Sequence, residues 1–399
     1  MIDTLIRNGR IITPAGIIER GCVAIENGRI TGVSDESECG TPESAETIDA
    51  GGAFVAPGFI DLHTHGAGGC DFMDGTVEAY LTAARTHAQH GTTLLYPTTL
   101  TSTNELLFET FDIYASAAAA NTDGAAFGGL HLEGPYFAYD QRGAQDPRYL
   151  REPSPGEYME ILSRTDNIAR WSLAPELPGA AEFGRVLQSR GILASMAHTN
   201  ATFEEAQEAF RHGFTHLTHF YSCMSTVTRR NAFRYAGVIE FGYYEDGATV
   251  EIIADGIHVP ESLLKLIVKL KGAGRIALVT DSMRAAGMPE GPSILGGIAD
   301  GQPVIVEDGV AKLPDRSAFA GSVATADRLV RTMINEGGVA LADAVRMATE
   351  TPARIMRIDD RKGLLRRGAD ADIAIFNAAI EIERTIVGGK TIYKKEKRC

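Results

Sequence analysis

Residues 53–66 read AFVAPGFIDLHTHG, an apolar run that ends in His63-Thr64-His65. In an extended strand residues i and i+2 point to one face, so the two imidazoles would reach the same point in space. A helix would space such a pair by four residues, as in the helical zinc proteases. His-x-His at the close of an apolar run therefore speaks for a strand tip that offers two ligands to one metal.

Seven more strand-like runs follow: TTLLYPTT, FGGLHLEG, WSLAPE, GILASMAH, FTHLTH, TVEIIAD and RIALVTD. Between them TVEAYLTAARTHAQHG, ELLFETFDIYASAAAA, FEEAQEAFRHG and ESLLKLIVKLKG carry apolar residues at helical spacing, often stopping at glycine. This alternation predicts an α/β fold, a (β/α)8 TIM barrel over residues 57–365. Arg284 to Ser322 is too long for a plain loop, and GIADGQPVIVEDGVAKL within it reads as an inserted hairpin near 296–314, beside the site. The first fifty residues read as short strands with Asn-Gly at two hairpin-like positions, and the tail (ADIAIFN, IERTIVGGKTIYK) alternates in the same way. The two ends, 1–56 and 366–399, are expected to pair into a small β-sandwich domain outside the barrel.

At 399 residues and 44% hydrophobic content the chain suits one large barrel with a small appendage. A net charge of −14 with no extensive basic patch argues against nucleic-acid and acidic-membrane partners. No apolar stretch approaches the ~20 residues that span a bilayer, and Met1 to Arg10 lacks the order of a signal peptide. A cytoplasmic protein is expected. Cys22, Cys39, Cys70, Cys223 and Cys399 are scattered without a Cys-x-x-Cys pair, so neither a thiolate zinc site nor a disulfide framework is expected.

Five of the runs end on a metal-binding side chain: His63 and His65, then Glu133, His198, His219 and Asp281. The C-terminal strand ends are where barrel enzymes place their chemistry. Glu133 is a carboxylate able to bridge two cations, and His131, two residues before it, is expected to orient its neighbours. Asp281 can take a proton from a metal's water and later deliver it to a leaving amine. His258, just past its strand, is placed to touch substrate rather than metal. His216, three residues before His219, is expected on the opposite strand face. With His87, His90 and His212 it reads as structural or exposed. TVTRRNAFRYAG supplies Arg229, Arg230 and Arg234, cations suited to phosphate oxygens.

The segments PGFIDLHTHG, HLEGPY, LAPE, AHTNA, THFYSCM, IIADGIHV, LVTD and AGS occur in that order across nearly the whole length. Together they resemble the amidohydrolase superfamily and, within it, the deacetylases of phosphorylated N-acetyl amino sugars. The resemblance implies hydrolysis of the acetamide of N-acetylglucosamine 6-phosphate, or of its galacto epimer, with a non-phosphorylated amide as the alternative. It implies one or two divalent metals per subunit: zinc, iron, manganese or cobalt. His63, His65, Glu133 and Asp281 would hold one; Glu133, His198 and His219 would hold the other. Asp281 would be the catalytic proton carrier, and His258 would bind the sugar or the oxyanion. Arg230 would reach substrate phosphate across a homodimer interface. Two departures fall on substrate-binding positions. Ser222, Cys223 and Met224 stand where many relatives have Asn-Ala-Met, and Gln145 stands where some have a carbonyl-polarising histidine.

Overall fold

The computed structural model describes residues 2–40 and 43–396. Eight strands form the barrel: β1 (Phe59–Thr64), β2 (Thr92–Thr99), β3 (Leu130–Glu133), β4 (Ile168–Leu173), β5 (Leu193–Met196), β6 (Phe214–Leu217), β7 (Thr249–Ile253) and β8 (Ile276–Val279). Each pairs in parallel with the next. The ring closes through a parallel bridge between Thr64 and Ser282, beside which the Asp281 N–H donates to the His63 carbonyl at 2.8 Å. A helix follows every strand: α1 (Val77–Gln89), α2 (Asn104–Ala120), α3 (Pro155–Arg164), α4 (Ala180–Ser189), α5 (Phe203–Arg211), α6 (Val238–Tyr244), α7 (Glu261–Lys271) and α8 (Ala326–Asn335). The expected (β/α)8 architecture is the observed one.

The period of two decides what each strand shows to its helices. Leu130 and Leu132 of β3, Trp171 and Leu173 of β4, and Val250 and Ile252 of β7 join one large apolar core. The residues that alternate with them, His131, Glu133, Arg170, Ser172 and Glu251, are buried and polar, and His131 bonds to Ser172 and Arg170 to Glu251 across strands. Trp171, the single tryptophan, is fully buried. It stacks on Tyr136 at 5.9 Å and donates its indole N–H to the Gly134 carbonyl at 2.8 Å. Truncation to alanine there should cost about 3–5 kcal/mol.

Several boundaries differ from the sequence reading. FVAP, continuous in hydropathy with the first barrel strand, forms Phe54–Pro57 of the terminal sheet, pairing with Ile373–Phe376 and Ile2–Thr13. The chain changes sheets at Gly58, where a Cβ would lie 2.1 Å from the Thr93 side chain. The terminal sheet is one continuous eight-stranded sheet drawn from both ends of the chain, and it curves enough to bring Val23 and Ile30 into one core with Ile373 and Ile386. Asn27-Gly28 is a two-residue hairpin turn with both residues at positive φ, as expected. Asn8-Gly9 lies instead inside a strand, at a bulge, because a Cβ on Gly9 would meet Val55 at 2.6 Å.

Cys22 and Cys39 are joined by a disulfide, contrary to expectation. The helical turn Glu36–Cys39 folds back on the strand Gly16–Glu26 and brings the Cα atoms to 6.4 Å, a bridging distance that sequence spacing does not reveal. Cys399 lies outside the described residues. The insertion expected as a hairpin near 296–314 is a three-stranded antiparallel sheet, Gly291–Leu295, Gln302–Glu307 and Val310–Lys312. The Arg284 guanidinium pins it to the barrel rim, donating to Asp74 at 2.6 Å and to the carbonyls of Ile294, Gly296 and Gly69. Among the described residues no helix is long and apolar enough to cross a membrane.

Candidate metal centre and substrate pocket

His63 and His65 leave the tip of β1 with their Nε2 atoms 3.3 Å apart. Both Nδ1 atoms have partners: His63 Nδ1–H donates to Glu251 Oε1 at 2.9 Å, and His65 Nδ1–H donates to the Thr98 carbonyl at 3.2 Å. Those bonds fix the tautomers, so each Nε2 presents a lone pair. Glu133, at the end of β3, faces both rings, with Oε1 3.4 Å from His63 Nε2 and Oε2 3.4 Å from His65 Nε2. Asp281 Oδ1 stands 3.3 and 3.2 Å from the same two nitrogens.

The other half of the cluster is built past the ends of β5 and β6. His198 and His219 approach to 3.1 Å between Nε2 atoms and lie 3.4 and 3.1 Å from Glu133 Oε1. His198 Nδ1–H donates to the Gln141 carbonyl at 2.8 Å. His198, His219 and Asp281 all take positive φ, of 45°, 31° and 45°. This is a region that residues with a Cβ rarely enter and that gathers at functional sites. Each strand is bent sharply inward where it delivers its ligand.

Lone pairs facing lone pairs at 3.1–3.3 Å repel unless something positive lies between them. The donor set therefore fits cations. Two groups have donor atoms all mutually within 4.8 Å: His63, His65 and Glu133, and Glu133, His198 and His219. Glu133 belongs to both. Without a cation, protons take that place. Burial would lower the imidazoles, but Asp281 and Glu133 outweigh it, raising His63 to about 9 and His65 to about 10. His198, beside Cys223 and Glu133, is also raised against the effect of burial. The Glu133 carboxyl, despite its burial, is held well below its usual range by His63, His198 and His219.

The cluster floors a cavity of about 290 Å³ at the C-terminal ends of the strands, lined also by Gln145, Tyr221, Ser222, Cys223, His258 and Phe319. His258 Nδ1–H donates to Asp255 Oδ2 at 2.8 Å, which leaves Nε2 as its free nitrogen, and its ring lies 4.7 Å from that of Phe319. Gln145 donates from Nε2 to Glu133 Oε2 at 2.7 Å and accepts the Thr101 N–H on Oε1 at 2.9 Å. Its amide is thus engaged with the shared carboxylate. Arg230 is not brought to this cavity. It sits on an exposed hairpin, Thr228–Arg230 with Phe233–Tyr235, its guanidinium 5.4 Å from the Tyr235 ring.

His131 is buried between Thr98 Oγ1 and Ser172 Oγ, with its ring 4.6 Å from that of His63. His216 corrects the sequence reading: it is fully buried and points inward, with Nε2 3.0 Å from Glu251 Oε2. Alternation fails between His216 and His219 because β6 ends at Leu217 and positive φ at His219 turns that side chain back toward the axis. Glu251 and Arg170 were missed altogether. The signal was available: each is a charged residue flanked by apolar ones in mid-strand, at Val250-Glu251-Ile252 and Ala169-Arg170-Trp171.

Residues 54–392 match the amidohydrolase family. Among characterised relatives, N-acetylglucosamine-6-phosphate deacetylase of Lysinibacillus sphaericus is 32% identical over 98% of this chain and 97% of its own. N-acetylgalactosamine-6-phosphate deacetylase of Escherichia coli O157:H7 is 29% identical over 97% of this chain and 98% of its own. The crystal structure of N-acetylglucosamine-6-phosphate deacetylase from Pasteurella multocida superposes with a TM-score of 0.90 at 27% identity, covering 97% of this chain and 99% of that one.

Proposed function

The chain belongs to the amidohydrolase family, and from that membership we propose that it hydrolyses the acetamide of N-acetylglucosamine 6-phosphate, releasing acetate and the free amine. The observation that carries this reading is the convergence of His63, His65, Glu133, His198, His219 and Asp281 on one cavity. The cluster would hold one or two divalent cations. His63, His65, Glu133 and Asp281 form one half; Glu133, His198 and His219 form the other. Imidazole and carboxylate suit zinc, iron, manganese or cobalt. A cation there supplies Lewis acidity toward the amide carbonyl and the attacking water.

The protein's own groups move the proton and place the sugar. Asp281 Oδ1 lies 3.3 and 3.2 Å from the Nε2 atoms of His63 and His65, so its carboxylate is placed beside the cation site to accept the proton of the attacking water. The same oxygen then returns that proton to the sugar nitrogen, turning a poor leaving group into an amine. Asp255 fixes His258 with its Nδ1–H engaged, and the remaining Nε2 meets a sugar hydroxyl or the carbonyl oxygen. Gln145 orients Glu133 and keeps its second oxygen from rotating. Ser222 and Cys223 offer the sugar a small hydroxyl and a thiol.

Substrate phosphate needs a cation that the cavity of one chain does not supply. Arg230 stands on a projecting hairpin with Phe233 72% exposed and Tyr235 41% exposed. An apolar tip beside three arginines suits docking against a second copy, and a homodimer in which Arg230 reaches the partner's cavity completes the site. A phosphorylated sugar does not cross a membrane unaided, so a cytoplasmic location goes with this substrate.

The test is acetate release from the 6-phosphates of N-acetylglucosamine and N-acetylgalactosamine and from both unphosphorylated sugars. Phosphate-dependent release favouring the gluco epimer is expected, with Arg230→Ala raising KM for the phosphorylated sugar at least tenfold. The galacto epimer is the second reading, favoured by its relative's similarity over the full chain. Equal activity on unphosphorylated sugars would overturn both.

A further inference from the structure

Beneath the cation cluster the barrel axis holds a charged pair that the proposed reaction does not use. Glu251 of β7 and Arg170 of β4 are both fully buried, with Arg170 Nη1 2.6 Å from Glu251 Oε2. Taking two charges out of water costs several kcal/mol per ion, and attraction repays that only where further hydrogen bonds complete both partners. Here the partners come from most of the barrel. Arg170 also donates to the Leu62 carbonyl at 3.1 Å, to Thr218 Oγ1 at 3.1 Å and to Ser195 Oγ at 3.4 Å. Glu251 divides its two oxygens: Oε2 faces down, to Arg170 and to His216 Nε2 at 3.0 Å. Oε1 faces up, accepting His63 Nδ1–H at 2.9 Å and the His219 backbone N–H at 3.2 Å.

The upper oxygen therefore holds a side chain of one half of the cation cluster and the main chain of the other. A neutral imidazole can give its Nε2 lone pair to a cation only while its proton sits on Nδ1, and for His63 the partner that keeps it there is Glu251. At His219 the same oxygen anchors the backbone, while its Nδ1 has no partner. We propose that Glu251, locked by Arg170, is the positioning residue that makes His63 a cation ligand, and so governs whether the His63/His65 half of the cluster fills. The inference rests on the two-cation reading above and adds the residue on which the first cation depends.

Arg170 has a definite share in this. With its guanidinium in place, Glu251 Oε2 is occupied from below. Oε1 is then left for His63. An amide at position 251 would either put its NH2 against Arg170, two donors facing each other, or flip and put NH2 against His63 Nδ1. The flip would force the imidazole proton onto Nε2 and close that lone pair.

The experiment is a cobalt(II) titration of the metal-free full-length chain, read by visible absorption and by cobalt content after gel filtration. Neither readout requires substrate or turnover. Wild type is expected to bind two equivalents. Glu251→Gln is expected to keep the Glu133/His198/His219 site and to weaken the His63/His65 site by roughly 10–100-fold, the usual effect of removing a ligand's orienting partner. Glu251→Gln leaves an uncompensated Arg170 inside the barrel, so Arg170→Met/Glu251→Leu is made beside it, removing both charges and the acceptor for His63 Nδ1–H together. The double variant is expected to fold and to show the same loss at one site. Two wild-type equivalents with unchanged affinities in either folded variant would overturn the proposal and leave the two-cation reading standing. A single equivalent bound by wild type would overturn the two-cation reading, and the proposal with it.

Discussion

The two halves of the cation cluster are anchored by different means. His63 and His65 project from the tip of β1, and the His63 ring is set from below by a buried side-chain carboxylate. His198 and His219 lie beyond their strands on left-handed backbone, and the His198 ring is set from the side by the carbonyl of Gln141 in a surface loop. One half leans on the barrel's interior alone, whereas the other shares the Glu251 anchor through the His219 backbone but sets its His198 ring from a loop. Barrel interiors are closely packed and open last, whereas loops move sooner. On the two-cation reading, the protein would combine a cation site preset by the scaffold with one set in part by loop conformation.

The sharpest way to break the comparison is to remove what the halves share. Glu133→Gln takes a negative charge from both, and acetate release should fall by more than the roughly 10²–10⁴-fold that loss of a single proton carrier costs. Cobalt content should fall at both sites. Next in size, Asp281→Asn should lower kcat by about 10²–10⁴-fold while leaving the His198/His219 half able to bind one cation, as cobalt absorption would show. Preserved kcat would remove Asp281 from the proton path.

A smaller effect tests the loop half alone. Gly143 has φ 55°, and a Cβ there would lie 2.9 Å from Cys223 Sγ and 3.7 Å from His198 Cε1. Gly143→Ala should cost about 1 kcal/mol in backbone strain and displace the loop that carries the Gln141 carbonyl. About tenfold weaker binding is expected at the His198/His219 half, with the His63/His65 half unchanged. Equal weakening of both would erase the distinction.

The last effect is one of pH. His63 and His65 are raised in the folded, metal-free chain to about 9 and about 10, against an ordinary imidazole near 6.5. Groups raised on folding stabilise the fold fully below their unfolded value and lose that contribution as pH rises through the folded one. The metal-free chain should therefore lose melting temperature between about pH 6.5 and pH 10. A cation replaces those protons, so the gap in melting temperature between loaded and metal-free chain should widen over the same range. A gap independent of pH would show that the rings are not protonated when metal-free.

The site was more legible in the sequence than the framework beneath it. His63, His65, Glu133, His198, His219 and Asp281 could be picked out because each closes an apolar run, and a barrel puts such ends together. The direction of His216 could not, because alternation holds only inside a strand and β6 stops two residues before His219. Gln145 lies in a loop with no period at all, so its bond to Glu133 appears only when two distant segments are folded together. The same is true of the Cys22–Cys39 disulfide, which depends on a helical turn folding back on a strand. Gly58 shows a subtler failure. The run from Phe54 to Thr64 is continuous in hydropathy, yet the contact with Thr93 splits it between two sheets. Glu251 and Arg170 differ again: their charges interrupt apolar runs, yet strand alternation alone does not say that such charges are buried and paired with each other.

Trp171 gives the barrel an optical label of its own. It is the single tryptophan, buried one strand away from Glu133 and bonded to the carbonyl of the next residue, Gly134, while the terminal sheet has none. Its fluorescence reports the opening of the barrel, whereas far-ultraviolet circular dichroism sees the barrel and the terminal sheet together. In a denaturant titration, coincident curves would mark one cooperative unit, and separated curves would show that the sheet built from the two chain ends melts on its own.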